Sequence, residues 1–223
     1  MEKLVFIYQI LQNIDSTSTS NSPALVPTHQ MGHRNGLAIV GRKSWFATTV
    51  GILGQNEVEQ EEIIRRRPPI QTRLTLKEIR QMEYLSKVID ETMRLVTFSL
   101  TVFREAKSDV NINIYLVPKG WRALAWFRTI HYDPKIYPNP MEFNPSRWDN
   151  FIPKATEFMP FGVRGRSCPG NELAKLEIIV FLHHFILNYR LEQLNPKSPV
   201  MYLPQHTRPV DNCMARVHKI SKA

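Results

Sequence analysis

The sequence reads Phe161-Gly162-Val163-Arg164-Gly165-Arg166-Ser167-Cys168-Pro169-Gly170 directly before a long apolar segment. Two cations, Arg164 and Arg166, lie beside Cys168, and a helix starting at about Asn171 would direct its positive dipole end toward the sulfur. The glycines carry no Cβ, so backbone N–H groups can approach the sulfur closely. We therefore expect Cys168 to be a buried, hydrogen-bonded thiolate. The alternative is a buried structural thiol.

A thiolate on such a loop suits the axial position of a haem, because it donates electron density that favours O–O cleavage. The stretch resembles the cysteine motif of the cytochrome P450 family of haem-thiolate monooxygenases, which runs Phe-x-x-Gly-x-Arg/His-x-Cys-x-Gly. The residues that fall on this motif are Phe161, Arg166, Cys168 and Gly170. Arg164 stands where the family has a glycine that permits the tight turn of the loop. A shift of the turn by one residue would place Gly165 at that position and restore the turn.

Two further motifs precede the cysteine loop in the order that the family has them. They are Glu91-Thr92-Met93-Arg94 and Phe143-Asn144-Pro145-Ser146-Arg147-Trp148. A Glu and an Arg three residues apart share a helix face, and alone they could form a solvated surface salt bridge. The resemblance implies instead that Glu91, Arg94 and Arg147 form one buried structural network.

The resemblance covers residues 57–223 and implies the C-terminal half of a cytochrome P-450 fold, mainly α with small β-sheets. Residues 1–56 are expected to be a divergent, partly disordered segment, with an apolar run at 4–11 that is too short to span a membrane. Thr48 and Thr49 are the only nearby candidates for the threonine that the family uses on the oxygen side of the haem. We expect the chain to be a truncated form without a membrane anchor.

Local patterns predict several elements. Thr75 and Glu78 have capping-box spacing, and apolar residues then recur at helical spacing through Ile89. Asn111 to Lys119 is typical of a hairpin. The resemblance implies glycine where Ile114 stands, and because a β-branched residue is poor at a position that needs positive φ, we expect strain in this turn. Asn171 to Leu191 predicts a helix that is apolar around nearly its whole circumference and therefore buried.

The resemblance also implies a function. The cofactor would be haem b (iron-protoporphyrin IX), with Cys168 as the iron ligand, Phe161 and Gly170 beside it, and Arg104 and Arg166 on the propionates. Electrons would come from NADPH through a reductase at the cytosolic face of the endoplasmic reticulum membrane. Three segments are similar in sequence to plant ent-kaurenoic acid oxidase-type enzymes of gibberellin biosynthesis, namely Leu74–Arg80, Pro145–Asn150 and Thr207–Asn212. This similarity implies oxidation of a small apolar terpenoid. The alternative is a non-catalytic remnant or a haem-binding fragment that lacks the oxygen-activating helix.

The distribution of charge and the number of cysteines argue against two further classes, namely nucleic-acid-binding proteins and disulfide-rich proteins. The formal net charge is +9, but the basic residues are scattered along the chain. Nucleic-acid binding favours a basic stripe with interleaved aromatics, so neither DNA nor RNA is an expected partner. Two cysteines, Cys168 and Cys213, do not make a disulfide framework.

Overall fold

The computed structural model describes residues 55–96, 101–195, 200–202, 207–210 and 215–220. Within these ranges the chain is mainly helical with small antiparallel sheets, which is the predicted fold class. The α-helices are α1 (55–65), α2 (Leu76–Ile79), α3 (Glu83–Val96), α4 (Phe127–His131) and α5 (Asn171–Asn188). Short 3-10 turns lie at Pro145–Asp149 and Arg164–Arg166.

Each sheet among the described residues is a pair of antiparallel strands. The pairs are β1 (Thr101–Glu105) with β4 (Arg122–Trp126), β2 (Val110–Ile112) with β3 (Tyr115–Val117), β5 (Tyr189–Gln193) with β8 (Ala215–Lys219), and β6 (Val200–Tyr202) with β7 (Thr207–Pro209).

The predicted hairpin forms, but the strain predicted for Ile114 does not. The left-handed residue between β2 and β3 is Asn113, with φ of 54°. Asparagine tolerates this region better than a β-branched residue does, because its short polar side chain can hydrogen-bond locally. The prediction about Ile114 was therefore wrong by one residue.

The predicted capping box is present, but the helix after it is broken. Thr75 Oγ1 accepts a hydrogen bond from Glu78 N, and the Glu78 carboxylate accepts one from Thr75 N. The chain then turns through Gln81 and Met82, whose N–H groups bond to carbonyls three residues back. Apolar spacing continues across this turn, so periodicity alone did not reveal the break.

A carboxylate from another helix caps the restarted helix. Glu59 of α1 accepts hydrogen bonds from Tyr84 N at 2.7 Å and from Leu85 N at 3.0 Å. These two N–H groups belong to the first turn of α3 and have no partner inside the helix. Glu59 therefore fixes where α3 begins and ties α1 to it.

The main apolar core joins α1, α3 and α5. Its buried members are Ile63, Met82, Leu85, Ile89, Leu182 and Ile186. A smaller cluster lies further along α3, where Val88 and Leu95 pack on Phe143. α3 thus contributes to both clusters and lies at the centre of the described fold.

The last helix differs from the prediction in length and burial. α5 ends at Asn188, and the chain continues directly as β5 rather than as helix to Leu191. Its buried residues are Leu182, His183 and Ile186, while Leu173 near its start is 59% exposed. The helix is apolar on most sides, yet one side alone meets α1 and α3.

Buried polar contacts accompany this core. His183 Nδ1 lies 2.6 Å from Gln60 Oε1, between α5 and α1, and burial lowers the pKa of His183 to about 4. The described residues contain no group of three or more potential ligands that could hold a metal ion. This histidine is therefore a packed core residue.

Some predictions fall outside the described residues, namely those for residues 1–54 with Thr48 and Thr49, and that for Cys213. Among the residues that are described, none of the helices combines the length and apolarity that crossing a membrane requires.

Replacing Glu78 by Gln should lower the free energy of unfolding by about 3 kcal/mol at neutral pH. Burial alone would raise the pKa of Glu78, but hydrogen bonds from Arg67 and Thr75 hold it down to about 2. A lowered carboxyl pKa contributes stability above pH 4.5 that is lost as the pH falls toward 2. Urea unfolding of both proteins across this pH range measures the difference.

The matched control is Glu62→Gln, which removes an exposed carboxylate that pairs with Arg65 and Arg66. It should leave the unfolding midpoint close to that of the parent chain. Equal losses for the two variants would contradict the role given to Glu78.

Candidate functional site

Five hydrogen bonds converge on the fully buried carboxylate of Glu91 in α3. Arg94 donates through Nη2 to Oε1 at 2.8 Å and through Nε to Oε2 at 2.9 Å. Oε1 also accepts from Arg147 Nε at 3.3 Å and Asn144 N at 3.0 Å, and Oε2 accepts from Trp148 Nε1 at 3.1 Å. Two arginines and an indole thus surround one carboxylate, which is the arrangement in which a buried charge is stable.

Arg94 joins this carboxylate to the chain that follows β4. Its guanidinium is fully buried and donates to the carbonyl oxygens of His131 and Pro140, each at 2.8 Å, and of Glu142 at 3.2 Å. The end of α4 and two points of the loop between α4 and the Pro145–Asp149 turn are therefore held by one side chain. Lysine could not replace Arg94 here, because it lacks the planar guanidinium group with its fixed arrangement of donors.

Tyr137 packs against both arginines. Its ring lies 5.0 Å from the guanidinium carbon of Arg94 and 5.9 Å from that of Arg147, within the range of cation–π attraction. Burial strongly raises the pKa of its hydroxyl, which donates to the carbonyl of Glu157 at 2.9 Å. The hydroxyl therefore stays protonated and anchors the segment that leads to the cysteine loop.

One backbone hydrogen bond closes the cysteine loop. Cys168 N donates to Phe161 O at 2.8 Å, and the 3-10 turn Arg164–Arg166 lies between them. Gly162 has φ of 79°, and a Cβ built on it would lie 3.2 Å from Arg166 O. The positive φ favours glycine at 162, and the space beside it is tight for a Cβ.

Arg164, rather than a shifted glycine, takes the left-handed conformation. Its φ is 55°, whereas Gly165 is not among the residues with positive φ. The expected shift of the turn onto Gly165 was wrong. The backbone keeps the conformation that glycine suits and places an arginine in it, which costs about 1–2 kcal/mol.

The thiol of Cys168 is exposed, contrary to the expectation of a buried, hydrogen-bonded thiolate. Among the described residues no hydrogen bond reaches its sulfur, and the loop amides at 162 and 166–168 bond to carbonyl oxygens. Gly170 lies alongside, where a Cβ would be 3.8 Å from Sγ. An exposed thiol with a glycine alongside leaves room for a planar metal-bearing cofactor. α5 begins at the next residue, so its N-terminal turn follows the cysteine closely.

The two arginines assigned to the propionates are exposed. Arg104 lies on β1 opposite Ala123, and its Nη1 donates to its neighbour's carbonyl, Phe103 O, at 3.1 Å. Arg166 lies at the end of the 3-10 turn. Neither forms an ion pair within the part of the chain that the structure describes, so both guanidinium groups are available to an anionic group.

Four contributors to the site were missed by sequence reasoning: Trp148, Tyr137, His131 and Gly162. Trp148 directly follows Arg147, so it was quoted within the motif without a role. Tyr137 and His131 act through contacts that span at least 20 positions of sequence. The only signal for Gly162 was its position directly after Phe161.

Comparisons of the sequence and of the fold with known proteins both point to cytochrome P450 proteins. The family model described as Cytochrome P450 matches residues 55–213. Ent-kaurenoic acid oxidase 1 of Arabidopsis thaliana is 59% identical over 167 residues, which are 74% of this chain and 34% of that protein. Beta-amyrin 11-oxidase of Glycyrrhiza uralensis is 57% identical over 172 residues, 77% of this chain and 35% of that protein.

A cyanobacterial cytochrome P450 solved with bound retinoic acid has a similar fold. Its TM-score is 0.66 at 26% identity, covering 79% of this chain and 40% of that one. The chain spans about a third of the length of the curated relatives that it matches.

Replacing Glu91 by Gln should lower the free energy of unfolding by about 3–5 kcal/mol, because Arg94 would keep a buried charge without its counter-charge. Chemical unfolding followed by circular dichroism measures this loss. Glu57→Gln is the matched control, since it removes an exposed partner of Arg190 and should cost about 0–1 kcal/mol. A small loss for Glu91→Gln would contradict the buried network.

Replacing Arg164 by Gly should raise the free energy of unfolding by about 0.5–1 kcal/mol. Relief of the left-handed strain exceeds the entropy that glycine adds to the unfolded chain. Arg166→Gly is the control in the same turn. Because Arg166 lacks a positive φ, glycine there should lower stability by about 0.5–1 kcal/mol. Thermal unfolding of both variants gives the sign of each effect.

Proposed function

This chain belongs to the cytochrome P450 family, and from that premise we propose that Cys168 is the axial thiolate ligand of a haem. The observation that supports it best is the geometry of the loop. An exposed thiol follows a turn closed by Cys168 N and Phe161 O, with Gly170 leaving the space beside the sulfur open. The family implies the haem cofactor, and the haem b form is part of the proposal.

The chain's own residues would bind and orient the cofactor. Arg104 and Arg166 would pair with the propionates, because a guanidinium is always charged and binds carboxylates bidentately. Phe161 would pack beside the thiolate. When bound, haem supplies the oxidising chemistry, and the protein contributes ligation, orientation and electrostatics.

Behind the loop, the buried network would act as the fixed support of the ligand. Glu91, Arg94 and Arg147 hold α3, the chain after α4 and the Pro145–Asp149 turn together through charge-assisted bonds. Such bonds have narrow geometric tolerance. We assign this network a positioning role, with no contact to substrate.

For the reaction, we propose insertion of one oxygen atom of O2 into a C–H bond of a small apolar terpenoid such as ent-kaurenoic acid. The other oxygen atom would leave as water, formed with two protons and the two electrons that NADPH supplies. Relatives named ent-kaurenoic acid oxidase and beta-amyrin 11-oxidase support a terpenoid substrate. Electrons would come from NADPH through a reductase at the cytosolic face of the endoplasmic reticulum. Arg164 is an exposed cation near Cys168, which suits an acidic partner.

A second candidate is a non-catalytic remnant that keeps the cysteine-side scaffold. The conformation of Arg164 favours it, since an arginine holds the left-handed position that the family gives to glycine. Two measurements distinguish the candidates. The first is whether the chain binds haem, and the second is whether the haem-loaded chain turns over substrate with a reductase.

The experiment is expression of the chain with haem supply, followed by the difference spectrum of the reduced, carbon-monoxide-bound protein. We expect a Soret band at the position of thiolate ligation, and its loss in Cys168→Ser, because a hydroxyl does not replace a thiolate ligand. Ser167→Ala, one residue away, is the control and should keep the band. A parent chain without the band would support the remnant.

A further inference from the structure

Three consecutive residues that precede the cysteine loop are each held by a residue of the buried network or its surroundings. Glu157 O accepts from Tyr137 Oη at 2.9 Å, the ring of Phe158 lies 4.7 Å from that of Trp148, and Met159 N donates to His131 Nε2 at 3.0 Å. This stretch, 157–159, is neither helix nor strand. Its position therefore depends on these contacts.

We propose that His131 is the positioning residue that couples the Glu91–Arg94 pair to the Cys168 loop. Its carbonyl oxygen accepts from Arg94 Nη1 at 2.8 Å, and its Nε2 accepts from Met159 N. One residue thus receives a hydrogen bond from the network on its main chain and another from the loop segment on its side chain. The consequence for iron ligation rests on the function proposed above.

The geometry makes this link difficult to replace. His131 is fully buried at the end of α4, and its ring lies 5.7 Å from that of Phe158. Met159 is itself buried, so its N–H needs a protein acceptor. The acceptor that the structure provides is Nε2 of His131.

The imidazole is in the form that this bond requires. Burial and the nearby charge of Arg94 lower the pKa of His131 to about 4. It is therefore neutral at physiological pH, with a lone pair on Nε2 and a proton on Nδ1.

From Met159 the constraint continues along the backbone to the cysteine. Met159 O accepts from Gly162 N at 3.2 Å, and Phe161 O accepts from Cys168 N at 2.8 Å. Pro160 lies between Met159 and Phe161 and restricts the conformation of the residue before it. Fixing Met159 therefore fixes the carbonyl that holds the cysteine's own amide.

The test is amide hydrogen exchange on the haem-free chain, with His131→Gln and His131→Leu compared. Glutamine keeps an acceptor oxygen in about the place of Nε2, whereas leucine removes it. We expect the Met159 amide to exchange about tenfold faster in the leucine variant than in the parent, with little change in the glutamine variant or in the amides of α3. Tyr132→Phe is the control, since its hydroxyl bonds to Leu95 O rather than to the loop segment.

Each outcome decides the proposal. Equal exchange at Met159 in the glutamine and leucine variants, or uniform acceleration across α3, would overturn it and leave His131 a packing residue. If the leucine variant does not fold, the exchange rate of the Met159 amide in the parent chain tests the proposal instead. A Met159 amide that exchanges as fast as the amides of the exposed residues Arg164 and Gly165 overturns the proposal, and a slow one together with glutamine rescue supports it.

A second readout uses the loaded protein. The carbon-monoxide difference spectrum should keep its thiolate position in His131→Gln and lose part of it in His131→Leu. A parent chain that never shows the thiolate band would count against the proposed function alone, because the exchange experiment contains no haem.

Discussion

One buried carboxylate organises the described part of this molecule. Glu91 is inaccessible to water, and both of its oxygens are occupied by donors from α3, from the Asn144 backbone and from the turn that carries Arg147 and Trp148. A charge in such a place is stable only when its partners are complete and correctly oriented. Glu91 is thereby joined directly to the Pro145–Asp149 turn, and through Arg94 to the end of α4 and the chain that follows it.

The parts of this arrangement that sequence could predict are local ones. Thr75 and Glu78 have fixed spacing within one turn, so the capping box was readable. The pair Glu91 and Arg94 was identified in the same way. The helix break before α3 was not, because it depends on Glu59, which reaches its first turn from α1. Periodic apolar residues report which side of a helix is buried, and they carry no information about such caps.

Contacts over long sequence separations account for most of what was missed in the candidate site. Trp148 and His131 act through one ring nitrogen each, and neither spacing nor composition identifies the partner of a ring nitrogen. The turn at Arg164 illustrates a different limit. The motif indicated correctly that glycine suits position 164, yet the backbone kept that conformation with arginine in place. The surrounding hydrogen bonds outweigh the local cost.

The ribbon formed by β1 and β4 has a consequence for how copies of this chain behave in solution. Phe103 and Leu124 are register partners, and Trp126 follows on the same face, with exposed fractions of 68%, 48% and 51%. The charge of +9 keeps such surfaces apart by mutual repulsion over about 10 Å at 0.1 M salt. Ionic strength shortens that range while the attraction between aromatic faces persists. Whether copies of this chain stay apart or associate thus depends on the balance between repulsion from the net positive charge and attraction between the exposed apolar faces of the β1–β4 ribbon. Buffers of low ionic strength favour separate copies.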